Sequence, residues 1–214
     1  IQRALVSMEN AMPSYAPDGG WYEGISYWEY TTTMLIMGIN ALDIACGTNY
    51  GITNVPGFLD TGYFLINSTG STYSFEYHDA AVNSVISSTP LIWLARKTND
   101  MALQKYSIDK GSTSNRVKDI LWYTDAVMPE NGGAKLDASY PNAGEWTMRS
   151  NQSNKPVFVG MHAGANNVTH GQLDIGDFEY EANGVKFAGS MGKDDDSLSG
   201  IYNIGAERNN YYAN

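Results

Sequence analysis

Cysteine is nearly absent from this sequence of 214 residues, in which Cys46 is the only thiol. A single thiol cannot form an internal disulfide, and it cannot build a metal site that depends on several thiolates. The fold must therefore be held together by its apolar core. Hydrophobic residues make up 43% of the chain, which is enough for such a core and argues against disorder.

Positive charge is also scarce: 13 Lys and Arg residues stand against 23 Asp and Glu residues, and the formal net charge is -10. This balance disfavours nucleic acid as a partner and provides no attraction to anionic membrane surfaces. It would also repel an acidic substrate, unless a local cluster of Arg, Lys or His overrides the overall field.

Long apolar runs are missing. The longest candidate, residues 34–46, is interrupted by Gly38, Asn40 and Asp43, so we expect no membrane insertion. Phosphate-binding loops, dinucleotide-binding fingerprints and the Gly-x-Ser-x-Gly elbow of serine hydrolases are absent as well. The sequence starts without Met in a helix-like segment, and we expect it to be a piece of a longer protein.

Aromatic residues, in contrast, are abundant, with 15 Tyr and 5 Trp. Their flat, amphipathic rings pack in cores and also stack on the faces of sugars. The densest segment is 21–30, which reads WYEGISYWEY. Tyr27 and Tyr30 share a helix face there, and a Tyr can act as a general acid or base beside a partner. The alternative is that these rings are ordinary core.

The hydrophobic period changes along the chain. It predicts helices at 1–12, 26–46, 78–97 and 114–123, and strands at 144–150, 157–161, 173–182 and 185–191. Pro13 should stop the first helix, Gly47 should end the second, and Pro90 should kink the third. Ser26 and Glu29 form a capping-box pattern for the second helix. Helices followed by strands predict an α+β chain, either as two segregated layers or as two domains, with a boundary near 125–140.

The last two predicted strands form a hairpin around Asn183-Gly184, a dipeptide that suits a type I′ turn. A two-residue loop pairs Ala182 with Val185, Glu181 with Lys186, and Tyr180 with Phe187. Alternation then predicts that the aromatic side chains point into a core, namely those of Phe178, Tyr180 and Phe187. The charged side chains are predicted to face water, namely those of Asp177, Glu179, Glu181 and Lys186.

A polar row precedes the hairpin. In an extended backbone His170, Gln172 and Asp174 lie on one face, as at a site on the rim of a sheet. His170 is the leading candidate for a titrating catalyst, with an exposed loop histidine as the alternative. His170 and Asp174 could share a metal ion, but two ligands do not make a complete site.

Two further residues, His162 and Arg149, qualify as site candidates, and a third histidine does not. His162 lies in a Gly-rich loop and is a candidate for a supporting position. The pair His78 and Asp79 is interpreted as the cap of the predicted helix 78–97. Arg149 could grip a substrate carboxylate at two points, because a guanidinium matches a carboxylate in geometry; an exposed strand Arg is the alternative.

Three motifs in series resemble the heparinase II/III-like polysaccharide lyases. They are 18–30 (DGGWYEGISYWEY), 146–150 (WTMRS) and 170–178 (HGQLDIGDF), the last followed by the Asn-Gly hairpin. Their order and spacing match the family, and the resemblance covers most of the chain. It implies the C-terminal part of an α/α toroid at 1–130, followed by the start of an antiparallel β-sandwich at 131–214. The active site of the family lies in the cleft between the two.

The resemblance also implies an activity, the cleavage of uronate-containing polysaccharide of the heparin, heparan sulfate or alginate kind by β-elimination. Tyr27 would be the catalytic acid and also the base, and His170 would reach into the cleft from the sandwich. Substrate-binding candidates by resemblance are Arg149, Trp21, Tyr22, Glu23 and Trp28. The implied partner is an acidic polysaccharide or oligosaccharide, and the implied location is periplasmic or secreted.

The sequence departs from the family at several positions. Gln172 stands where many members have a second His, and Ser190 stands where many carry an Asp after the hairpin. A further catalytic Asn or His has no counterpart before Asp18. The sequence therefore assigns no cofactor, and the resemblance leaves a divalent metal, zinc or calcium, to the full-length protein.

Two other functions stay open. A glycoside hydrolase on an α/α toroid would need two carboxylates across a cleft, for instance those of Glu23 and Asp79. A non-catalytic carbohydrate-binding module would be consistent with the replacements at Gln172 and Ser190.

Overall fold

A computed structural model describes residues 2–80, 83, 86–110, 116–130 and 133–191, except for the side chain of Arg116. Its helices are α1 (Gln2–Ala11), α2 (Ile25–Cys46), α3 (Gly62–Asn67), α4 (Thr89–Thr98), α5 (Met101–Lys110) and α6 (Arg116–Trp122). Its strands are β1 (Asp137–Tyr140), β2 (Glu145–Arg149), β3 (Phe158–His162), β4 (Phe178–Ala182) and β5 (Val185–Ala188). The order of helices before strands confirms the α+β class, and none of the described helices could cross a bilayer.

Pro13 and Gly47 set the ends of the first two helices, as predicted. Pro13 lies in a short 3-10 turn that follows α1, and Gly47 ends α2 in the left-handed conformation with φ +68°. The start of α2 was predicted wrongly, because Ser26 makes no capping bond. Gly24 precedes the helix instead, with φ +83° and no side-chain cap.

The predicted helix 78–97 is wrong at residues 78–80, 83 and 86–88, which lie outside any helix, whereas 81, 82, 84 and 85 lie outside the described residues. The helix found there, α4, begins at Thr89, with Pro90 in its first turn rather than at a kink. Pro90 lacks an N–H and disfavours helix in the residues before it. A helix that has Pro90 in its first turn loses no backbone hydrogen bond, because the first N–H groups of a helix have no partner within it. Residues 78–80, which precede α4, form part of the contact between the helices and the sheet instead. Helix α5 was not predicted.

The five strands form one antiparallel sheet in chain order, β1 to β5. The hairpin pairs Ala182 with Val185 and Glu181 with Lys186, as predicted. A bulge between Tyr180 and Glu181 then moves Tyr180 opposite Ala188 rather than Phe187. The rings of Tyr180 and Phe187 still touch, with centroids 5.9 Å apart.

The predicted orientation of the hairpin faces is wrong. Glu179 and Glu181 are buried, with 0% and 2% exposure, whereas Phe178 and Phe187 are 53% and 67% exposed. The reason is that the carboxylate face packs against the helical half of the chain. Oε2 of Glu181 accepts the backbone N–H of Ser71 there. Lys186 is also largely buried on this face, where its ammonium pairs with Glu179 at 2.8 Å and with Glu76 at 3.2 Å.

One segment, Ser74–Ala80, joins the two halves, and we call it the seam segment. All its residues are buried. The ring of Phe75 lies against Gly160 of β3, where an added Cβ would come within 2.7 Å of the ring. Phe75, Tyr77 and Phe158 form a small apolar cluster of their own. The seam segment therefore fixes where the helices meet the sheet, and its last residues reach the predicted site.

Candidate functional site

Tyr27 and His170 come together at the edge of the seam. Their rings stack with centroids 3.8 Å apart and planes 16° from parallel. Tyr27 lies in the first turn of α2, and the glycine before that helix, Gly24, lies close to the ring of Tyr77 in the seam segment. Both rings are only partly buried, and the side chain of His170 is 36% exposed. A phenol from the helical half and an imidazole from the sheet half thus share an accessible surface.

The imidazole of His170 is held by Asp79. Oδ2 of Asp79 lies 3.0 Å from Nδ1 of His170, and Oδ1 accepts the side-chain amide of Gln172 at 2.8 Å. A carboxylate only accepts, so Nδ1 carries a proton and Nε2 remains for other partners. His170 also has a left-handed backbone, with φ +61°. Such a conformation in a residue with a side chain persists only where its surroundings impose it.

The polar row from His170 to Asp174 is not a strand, although its side chains do converge. All turn towards the seam segment: His170 and Gln172 towards Asp79, and Asp174 towards His78. Asp174 accepts the backbone N–H of His78, which has φ +56°. Burial raises the pKa of Asp174, but the adjacent imidazoles of His162 and His78 and the backbone N–H of His78 outweigh it and hold this pKa well below its usual range.

The aromatic candidates beside Tyr27 lie mostly in the core. Trp28 is fully buried, and its indole N–H donates to Thr61 at 2.7 Å. Trp21 is 3% exposed and donates to Glu23 at 2.9 Å. Tyr22 stacks on Trp21 and stays partly exposed, as does Glu23. Of these four, only Tyr22 and Glu23 present much surface that a sugar could contact.

Arg149 occupies a different position. Its guanidinium donates to the backbone carbonyls of Ile66, Asn67 and Thr69, at and just after the end of helix α3. Burial lowers its pKa. It lines a cavity of about 330 Å³ with Lys105 and Lys110, and neither Tyr27 nor His170 lines that cavity. The structure does not bring Arg149 together with the stacked pair.

The contact of Asp79 with His170 is the part of the site that the sequence interpretation missed. Asp79 was assigned to a helix cap, because His78-Asp79 precedes an apolar run. The glycosidase alternative needs Asp79 to act on substrate beside Glu23. In the structure Asp79 is 8% exposed and its oxygens are engaged by His170 and Gln172. The only signal for this contact in the sequence was a carboxylate directly beside a histidine, at His78-Asp79.

Comparison with solved structures finds proteins whose folds are similar to that of this chain. Two structures of the heparan sulfate lyase HepC from Pedobacter heparinus superpose with a TM-score of 0.60, at 14% and 15% identity, over 91% and 96% of this chain. A heparinase III, the BT4657 gene product, superposes with a TM-score of 0.54 at 19% identity over 96% of this chain. The fold is therefore heparinase-like.

The chain spans 29% of the length of each of these neighbours. No family model and no curated protein matches the sequence. At such identities the likeness is one of fold, and the chemistry has to be argued from the site itself.

Proposed function

We propose that this chain supplies the catalytic Tyr and His of a lyase that cleaves uronate-containing polysaccharide by β-elimination. The observation that carries the proposal is the stacked pair Tyr27 and His170, with His170 held by Asp79. The heparinase-like fold supports it, because the neighbours are described as heparan sulfate lyases. An acidic polysaccharide is the substrate class that this comparison favours.

The reaction requires two proton transfers, one from C5 and one to the glycosidic oxygen that leaves C4. A base takes the proton from C5, and the electron pair spreads into the adjoining carboxylate. The bond from C4 to the glycosidic oxygen then breaks, a double bond forms between C4 and C5, and the leaving oxygen takes a proton. In this proposal Tyr27 performs both transfers, because a deprotonated phenol can accept from C5 and then donate to the leaving oxygen.

His170 would act on the charge that develops in this step. Asp79 fixes its Nδ1–H, so Nε2 can meet the sugar as an acceptor, or as a donor when the ring is protonated. A protonated His170 would offset the uronate carboxylate in a chain whose formal net charge is -10. Preorganised charge beside a developing enolate is a major source of rate acceleration in enzymes.

The test is a turnover assay on the full-length protein with heparan sulfate, alginate and hyaluronan. Elimination produces an unsaturated uronate with an ultraviolet absorbance band, and we expect this band to grow with at least one substrate. New reducing ends without the band would indicate a glycoside hydrolase. Binding without either product would indicate a carbohydrate-binding module, and each of these two results would overturn the proposal.

A further inference from the structure

A second group of titratable residues lies behind the stacked pair, outside the residues proposed for elimination. His78 belongs to the seam segment, His162 ends β3, and Asp174 lies in the loop before β4. Their exposed fractions are 2%, 0% and 7%. One potential ligand atom from each residue lies within 4.8 Å of the others. Three chain segments thus place nitrogen and oxygen ligands at a single buried point.

The spacing of these atoms suits a small metal ion. Oδ1 of Asp174 lies 3.1 Å from Nδ1 of His78 and 3.6 Å from Nδ1 of His162. Ligands about 2.0–2.2 Å from a tetrahedral zinc ion are roughly 3.3–3.5 Å apart. The two imidazole rings lie close together, edge to face, with planes at 80° and centroids 4.6 Å apart.

The hydrogen bonds of the group are incomplete. Both ring nitrogens of His162 and Nε2 of His78 are buried without a hydrogen-bond partner among the described residues. Buried polar atoms are nearly always paired, so unpaired ones at a single point require an explanation such as an ion.

Nδ1 of His78 accepts the backbone N–H of Gln172 at 3.3 Å, so in this structure it carries a lone pair rather than a proton. An imidazole nitrogen has one such lone pair, so a bound metal ion would replace this long hydrogen bond.

The surroundings fix the positions of the three side chains. The ring of Tyr77 stacks on His162, with centroids 4.3 Å apart and planes 9° from parallel. Gly164 leaves room for that imidazole, because a Cβ there would come within 2.7 Å of Nε2. Asp174 is held by the backbone N–H of His78, a residue with φ +56°. Support of this kind around the ligands is typical of metal sites.

We infer that His78, His162 and Asp174 bind a divalent metal ion, and that Zn²⁺ is the ion their chemistry suits best. Two imidazoles and one carboxylate are common zinc ligands, and a water molecule would complete a tetrahedral site. The ion would tie the seam segment to β3 and to the loop before β4, and so stabilise the contact between the helices and the sheet. Gln172, which stands where many members of the resembling family have a His, donates to Asp79 and is not part of this group. The inference does not depend on the proposed lyase activity.

The experiment measures metal content in the full-length protein, produced without a polyhistidine tag. The protein is treated with a chelator, dialysed, offered Zn²⁺ and analysed by mass spectrometry for zinc per chain. The variants His78→Gln, His162→Gln and Asp174→Asn each remove one ligand. The matched control is His170→Gln, because it changes the remaining histidine of the 3 in the chain. Thermal unfolding with and without Zn²⁺ provides a second readout.

We expect each ligand variant to contain one zinc ion fewer per chain than the parent, or to bind zinc at least tenfold more weakly. The His170→Gln control should keep the parent's zinc content, and Zn²⁺ should raise the unfolding temperature of the parent and of this control. Equal zinc content in the parent and all ligand variants would overturn the inference. If a ligand variant fails to fold, Co²⁺ replaces Zn²⁺ in the parent, and absence of the intense visible bands of tetrahedral Co²⁺ would overturn it as well.

Discussion

Oδ2 of Asp79 lies 3.0 Å from Nδ1 of His170, although 91 positions separate the two residues in the sequence. Oδ1 of the same carboxylate accepts from Gln172 at 2.8 Å. Asp79 therefore receives one hydrogen bond on each oxygen, and both donors come from the sheet half of the chain. This arrangement fixes the orientation of the His170 ring against Tyr27 and leads to the first prediction.

Asp79→Asn should lower kcat by about 10–10²-fold, part of the ~10²–10⁴-fold that acid–base groups usually supply. An amide offers one accepting oxygen, so it cannot receive the bonds from both His170 and Gln172. The pH profile of kcat/KM should change with it, while KM changes little.

Adding Gln172→Glu to Asp79→Asn should restore part of the activity, since the new carboxylate can accept from the new amide. Asp137→Asn, at an exposed position, is the control; an equal loss there would remove Asp79 from its positioning role.

Tyr27→Phe should abolish turnover and leave polysaccharide binding intact. The change removes the hydroxyl that we propose to transfer both protons, but it keeps the ring that stacks on His170. Turnover of the full-length variant is measured by the absorbance of the unsaturated product, and binding is measured by calorimetry. Activity within about tenfold of the parent would exclude Tyr27 from acid–base chemistry. Tyr30→Phe, on an exposed part of α2, is the matched control.

The stability of the hairpin region should depend on pH through Glu179. Burial raises the pKa of Glu179 from 4.5 to about 7, an effect that Lys186 opposes and that Glu76 and Glu181 reinforce. In the folded state Glu179 keeps its proton to a higher pH than in the unfolded state. The free energy of unfolding should therefore fall as pH rises from about 4.5 to about 7.

The variant Glu179→Gln removes this titration and should flatten that part of the pH profile. Denaturant unfolding at a series of pH values checks the prediction, with Glu130→Gln at an exposed position as the control. An unchanged slope in Glu179→Gln would contradict it.

Gly160→Ala should lower the free energy of unfolding by about 1–3 kcal/mol, the usual cost of overpacking. The added Cβ would come within 2.7 Å of the buried ring of Phe75, in the contact between β3 and the seam segment. Gly38→Ala in α2 is the matched control. Its new methyl meets the flexible end of Met8 at 3.2 Å, and Ala gains about 0.5–1 kcal/mol over Gly inside a helix. Denaturant unfolding of the pair should therefore give shifts of opposite sign.

Local chemistry was enough to predict several elements. Pro13, Gly47 and the Asn183-Gly184 turn act through their own backbone preferences, so the end of α1, the end of α2 and the start of the hairpin followed from the sequence. Strands β2 and β3 were predicted within one residue at each end, because alternation is a local property, whereas β4 begins five residues after the predicted start at 173. The short strand β1, Asp137–Tyr140, was missed, since it lies in an Asp-, Ser- and Pro-containing segment with little alternation.

The candidate site was predicted in part. Motif order pointed to Tyr27 and His170, and these two residues do lie in contact, whereas their catalytic roles stay predictions. Asp79 and the group of His78, His162 and Asp174 could not be found from spacing, because their partners are far apart in the sequence. Trp28 was placed in the site by its neighbours along the chain, yet α2 turns it into the core.

The sequence by itself determined the ends of α1 and α2, the hairpin turn and the extents of β2 and β3, because backbone preference and hydrophobic period depend on neighbouring residues. Only the tertiary structure decided which side of each element is covered. Alternation showed that Glu179 and Phe178 lie on opposite faces of β4, but the packing of the seam segment decided that the carboxylate is the buried one. The same long-range packing brings Asp79 to His170, since the energy of such a contact depends on distance in space and not on separation along the chain.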